Sequence, residues 1–124
     1  MSQTGYIVFA HGSSIESAND AVRKVAADMA SRGGLDVEAA FLEGGKPDLP
    51  QALELMAERV SHVVVVPYFL TLGLHLQRDL PRLIERVRSS HPDVRIEVAA
   101  PLDQHPAMVD ALLDRAREAA CKLG

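Results

Sequence analysis

The chain has 124 residues, 48% apolar and 24% charged, with 17 acidic and 13 basic side chains for a net charge of −4. That length holds one globular core and is too short for two, so residues 1–124 read as a single domain. The acid excess argues against a general nucleic-acid binder. No run of about 18 apolar residues offers a membrane span, and the first apolar stretch has no basic leader and is too short for a signal peptide. The single cysteine, Cys121, cannot close an internal disulfide, which points to a reducing cytoplasm. Abundant, patterned apolar residues exclude a disordered chain.

Tyr6-Ile-Val-Phe-Ala10, bounded by Gly5 and the polar His11-Gly-Ser-Ser14, reads as a buried strand. From Ile15 to Arg32 the apolar residues Ala18, Ala21, Val22, Val25, Ala26, Met29 and Ala30 recur at helical spacing, and Gly33-Gly34 stops the helix. Ser13-Ser14-Ile15-Glu16 fits a capping box at its start. Leu35 to Leu42 is a less apolar strand, suited to a sheet edge. Asp48-Leu-Pro50 opens a second helix with Asp48 as cap and proline in the first turn. His62-Val-Val-Val-Val-Pro67 has no polar face, as expected of a central parallel strand covered on both sides. Tyr68 to Arg78 reads as a loop, and Asp79-Leu-Pro81 repeats the helix-start signal before Leu83, Ile84 and Val87. Val94 to Ala99 is the fourth strand. His105-Pro106 opens a last helix whose broad apolar stripe suits its own sheet or an interface. The order βαβαβαβα implies an α/β fold with a parallel sheet, right-handed crossovers and helices on both faces.

In such open sheets the ligand lies beyond the carboxyl ends of the strands, where strand order reverses. That rule sorts the five histidines. His62 and His91 precede strands and fall at the amino edge, away from any site. His11 follows the first strand, His75 the third and His105 the fourth. With a strand order of 2-1-3-4, His11 and His75 face one crevice, and Glu43 stands on the same edge. Glycine beside each of the first two, in His11-Gly12 and Gly73-Leu-His75, permits close approach. His105 serves equally well as a helix lead-in. The loop lacks the glycine and lysine patterns of nucleotide-binding loops, and no Cys-x-x-Cys pair supports a structural zinc site. Imidazole and carboxylate suit a borderline divalent ion such as cobalt, iron, nickel or zinc.

Phe9-Ala-His11-Gly-Ser-Ser14, Ala40-Phe-Leu-Glu43 with Pro47, and Val65-Val-Pro67-Tyr-Phe-Leu70 followed by Gly73-Leu-His75-Leu-Gln-Arg-Asp79-Leu-Pro81 resemble the small CbiX/SirB-type sirohydrochlorin chelatases. The likeness runs nearly the whole chain, and the block around His75 is its most specific part. It implies a chelatase-like, three-layer half of the flavodoxin-like kind and ATP-independent insertion of a divalent metal into a tetrapyrrole. It also implies that His11 and His75 are the active-site histidines and that Glu43 is a metal-binding carboxylate. Ser14 stands where many members carry arginine, and no role passes to His105, because Asp103 stands near where glycine is common.

Insertion removes two pyrrole protons, and neutral imidazole can hold a metal or accept a proton. The polycarboxylate substrate needs local positive charge, which Arg78 and Arg82 can supply, as can the backbone N–H groups of Gly12, Ser13 and Ser14. The resulting expectation is a cobaltochelatase of cobalamin biosynthesis, with iron insertion towards sirohaem as the alternative. Its metal is substrate (Co²⁺, or Fe²⁺ or Ni²⁺), with no permanently bound cofactor, nucleic acid or membrane partner. A flavodoxin-like module holding a phosphate or flavin on the Ser13-Ser14 loop, and a non-catalytic metal carrier, are the rivals from other classes. A chain this short encloses little of a tetrapyrrole and resembles half of the longer chelatases, which implies a homodimer.

Overall fold

A computed structural model describes residues 3–122. Strands and helices alternate as β1 (Thr4–Ala10), α1 (Glu16–Gly33), β2 (Asp36–Phe41), α2 (Leu49–Ala57), β3 (His62–Pro67), α3 (Leu74–Ser90), β4 (Arg95–Val98) and α4 (Ala107–Lys122). All pairings are parallel and the sheet order is β2-β1-β3-β4, as the alternation predicts. β1 is hydrogen-bonded on both sides, and Ile7, Val8, Phe9 and Ala10 are buried. Because successive side chains point to opposite faces, its residues divide between two cores. Ile7 and Phe9 join Val63, Val65 and Ile96 under α2 and α3, whereas Val8 joins Val37 and Ala26 under α1.

The entry to α2 matches its sequence signal. The Asp48 carboxylate accepts the Gln51 N–H at 2.9 Å, and the Gln51 side chain accepts the Asp48 N–H at 3.0 Å, so two helix-end donors are satisfied reciprocally.

Three expectations are corrected. The Ser13–Glu16 capping box does not form: Ile15 occupies the cap position without a side-chain bond. Ser13 Oγ accepts the Ile15 N–H at 3.0 Å instead, and Glu16 pairs with Arg23. Asn19 claims the Ser13 backbone and keeps Ser13 in the loop. Second, α3 begins at Leu74, with Pro81 inside it, and not at Asp79. The apolar series Leu76, Leu80, Ile84 and Val87 runs unbroken at helical spacing against the core, and that burial outweighs the hydrogen bond Pro81 cannot donate. His75 therefore sits in the first turn of a helix. Third, only one face of the valine strand is fully covered: Val63 and Val65 are buried, but Val64 and Val66 are half-exposed. α1 packs on β1 and β2, and α4 packs against no other element of the described chain.

Arg59, just past α2, grips Asp36 at the start of β2 with two hydrogen bonds of 2.9 and 2.8 Å. These bonds hold the Asp36 carboxyl below the usual carboxylate range, with partial burial opposing them. A depressed pKa stabilises the fold above the ordinary value and stops doing so as pH falls through the lowered one. Asp36→Asn is expected to cost under about 1 kcal/mol near neutrality, since the pair is partly exposed. In urea titrations the gap between wild type and variant should close below about pH 4.

Candidate active site

The site lies where the loops after β1, β2 and β3 emerge at the carboxyl edge. The β1–β2 ladder continues past both strands: Leu42 N–H donates to the Ala10 carbonyl at 2.9 Å and Glu43 N–H to the His11 carbonyl at 3.0 Å. This shared register sets the two side chains together, with His11 Nε2 3.1 Å from Glu43 Oε1. Both are largely exposed, so the pair faces solvent as an open imidazole–carboxylate couple.

The loops fit this closely only because of two glycines. Gly12 has φ +91°, and a Cβ there would collide with the Glu43 carbonyl oxygen. Gly44 has φ +72° and lies against the Ser13 backbone. Beneath them sits Asn19, 1% exposed and the buried polar side chain of the described core. It accepts the Ser13 N–H at 3.0 Å and donates to the carbonyls of Ser13 at 2.8 Å and Gly44 at 3.2 Å. Periodicity could not single it out, because a polar residue in an amphipathic helix is ordinarily read as solvent-facing.

His75 projects from the first turn of α3 and is exposed. Arg78 Nη2 donates to its Nδ1 at 3.0 Å, which leaves the proton of the neutral ring on Nε2. The expected three-ligand set does not close within one chain: among the described residues, no three His, Cys, Asp or Glu side chains are grouped to hold a metal. His11 and Glu43 are brought together, and His75 stands apart from them on α3. Arg82 lies one turn beyond Arg78, also exposed. Ser13 is corrected as an anion donor, since Asn19 already takes its N–H; Gly12 and Ser14 remain at the loop. His105 Nδ1 accepts the Ala107 N–H at 3.0 Å at the entry of α4, which is the lead-in role.

At the amino edge, His62 donates to Glu97 at 2.8 Å and accepts from the Thr4 hydroxyl at 3.3 Å. His91 donates to Glu54 at 2.6 Å. Both histidines are engaged away from the crevice, as expected. Sequence reading overlooked the exposed apolar side chains of Ile15, Tyr68, Leu70 and Leu74. They stand on the segments that follow β1 and β3, at the same edge as His11 and His75, and offer a flat ligand apolar contact.

Fold and site define an α/β protein with a parallel sheet and an open imidazole–carboxylate pair at the carboxyl edge. Residues 5–119 match the CbiX family, and the chain belongs to that family. It is 33% identical over 121 residues to the sirohydrochlorin cobaltochelatase of Saccharolobus solfataricus, covering 92% of this chain and 94% of that one. The solved structure of a putative cobalamin biosynthesis CbiX protein from Marinobacter aquaeolei superposes with a TM-score of 0.82 at 29% identity, covering 97% of this chain and 99% of that one. SirB from Bacillus subtilis, solved with Fe3+, gives a TM-score of 0.83 at 26% identity, covering 95% of this chain but 47% of the SirB chain.

Gly12→Ala tests how tightly the loops are fitted. The methyl group meets the Glu43 carbonyl in a backbone conformation that disfavours it, so a loss of about 1–3 kcal/mol is expected in urea unfolding.

Proposed function

We propose that the protein is a sirohydrochlorin cobaltochelatase that inserts Co²⁺ into the macrocycle with release of two protons. The observation that carries this is the exposed His11–Glu43 pair at the carboxyl edge, in a chain of the CbiX family whose relatives include named cobaltochelatases. Two N/O ligands hold a divalent ion while leaving coordination positions for ring nitrogens, and the absence of thiolate favours release. The metal is therefore substrate, and the reaction needs no resident cofactor.

His75 is the proton acceptor on the opposite side of the crevice, or the third metal ligand. In the free protein its Nδ1 lone pair is engaged by Arg78. A substrate carboxylate drawn to Arg78 and Arg82 competes for that guanidinium and frees the lone pair, so substrate binding and base activation are linked. Carboxylates also meet the N–H groups of Gly12 and Ser14 at the head of α1. A flavin-binding module is less well supported, because Ser13 N–H is already committed to Asn19.

The reducing cytoplasm suits the single exposed cysteine, and no helix among the described residues is long and apolar enough to cross a membrane. The working unit is a homodimer with the tetrapyrrole between two copies. This is supported by the open crevice and by the match of this chain to about half of the SirB chain.

Spectroscopic insertion assays with Co²⁺ and sirohydrochlorin test the reading. Wild type should exceed the uncatalysed rate, and His75→Ala should lower kcat by about 10²-fold or more. His11→Ala and Glu43→Gln should raise KM for Co²⁺ more than KM for the tetrapyrrole. A folded wild type that does no better than buffer with cobalt, iron or nickel would overturn the enzyme.

A further inference from the structure

A polar side chain is buried only at a cost that hydrogen bonds must offset. Among the described residues of α1, that burial occurs at Asn19, which is 1% exposed. Its amide is used in full. Oδ1 accepts the Ser13 N–H at 3.0 Å, and Nδ2 donates to the Ser13 carbonyl at 2.8 Å and to the Gly44 carbonyl at 3.2 Å. Of the short side chains, asparagine alone presents one acceptor and two donors from neighbouring atoms.

These bonds fall just beyond the last rung of the β1–β2 ladder. That rung joins the Glu43 N–H to the His11 carbonyl at 3.0 Å, and Asn19 then joins the residue after Glu43 to the second residue after His11. The two side chains that meet at 3.1 Å are thus enclosed between a backbone tie on one side and a side-chain tie on the other. The other supports of the β2 loop lie further along it: the Phe41 N–H donates to the Pro47 carbonyl at 3.0 Å, and Arg23 Nη2 to the Lys46 carbonyl at 3.0 Å. The fit around the amide leaves no slack. A Cβ at Gly44 would lie 2.9 Å from the Ser13 backbone, and one at Gly45 would lie 3.0 Å from Asn19 Nδ2 and 2.9 Å from the Phe41 ring.

We infer that Asn19 is a positioning residue: it holds the His11 and Glu43 loops at the separation at which imidazole and carboxylate meet one divalent ion, and so sets affinity for that ion without touching it. Both side chains are largely exposed, so they inherit their placement from their main chains rather than from packing around them. Among the described residues no third ligand is grouped with them to make up for a misplaced one. The identity of the ion as Co²⁺ rests on the cobaltochelatase reading; the placement of the two ligands does not. The effect is selective, because the tetrapyrrole also meets Arg78 and Arg82 on α3, which share no hydrogen bond with Asn19.

The test uses the full chain. Asn19→Ser keeps one hydroxyl, too short to reach both loops, and Asn19→Leu keeps the volume but removes all three bonds. Val87→Ala is the control: Val87 is buried near the end of α3 at the amino edge, so its loss lowers heat stability at a distance from the loops. Each Asn19 variant should raise KM for Co²⁺ about tenfold, leaving KM for sirohydrochlorin within about twofold. Calorimetry with Co²⁺ alone should show the same fall in affinity, and Val87→Ala should leave both values unchanged. A folded Asn19 variant with wild-type Co²⁺ affinity, or an equal fall in Val87→Ala, shows Asn19 to be structural and overturns the role. If Asn19→Leu does not fold, Asn19→Ser decides; if neither folds, the residue serves folding and the positioning role is overturned. A wild type that binds Co²⁺ but inserts none overturns the chelatase alone, and the calorimetric comparison still judges Asn19. A wild type that binds no Co²⁺ overturns both.

Discussion

The rest of the site depends on the β1–β2 ladder running past the ends of its strands. In a parallel pair each strand leaves the sheet at the same edge, so the residues that follow them are held side by side without any dedicated scaffold. Here two further backbone hydrogen bonds, from Leu42 to Ala10 and from Glu43 to His11, carry the strand register into the loops. A residue beyond β1 and one beyond β2 thereby acquire a defined separation from backbone geometry alone. The cost falls on neighbouring positions. With the two main chains so close, Gly12 has no room for a Cβ, and the backbone groups left between them need a buried partner, which Asn19 provides.

Much of this was legible. Apolar runs and helix stops mark the four strands and helices, and the rule placing ligands at the carboxyl edge separates His11, His75 and Glu43 from His62 and His91. What escaped was tertiary. The Ser13–Glu16 pattern is a sound local signal, but Asn19 competes for the same backbone and wins because it is buried. Pro81 looked like a helix start because proline favours first turns; the apolar face on both sides of it carried the helix through instead. A last helix with an apolar stripe is ordinarily assigned to its own sheet, whereas α4 packs against no other element of the described chain.

The electrostatics are local. A net charge of −4 repels a polycarboxylate at long range, and screening confines that repulsion to about 10 Å at ordinary ionic strength. Arg78 and Arg82 stand exposed on the first half of α3, Arg78 beside His75, whereas the amino edge gathers carboxylates such as Glu54 and Glu97 that pair with His91 and His62. The distribution thus matters more than the sum. It also bears on His75, whose hydrogen bond to Arg78 is worth little against a carboxylate, since charge-assisted bidentate pairing is the stronger bond for a guanidinium.

The stand-off of α4 follows from how the other three helices cover the sheet. A four-stranded sheet has two faces: α2 and α3 cover one, and α1 covers β1 and β2 on the other. α4 packs on neither face, and the part of the sheet that α1 leaves open carries the half-exposed Val64 and Val66 beside Arg95 and Glu97. Because β4 is an edge strand of four residues, the sheet also ends open beside it.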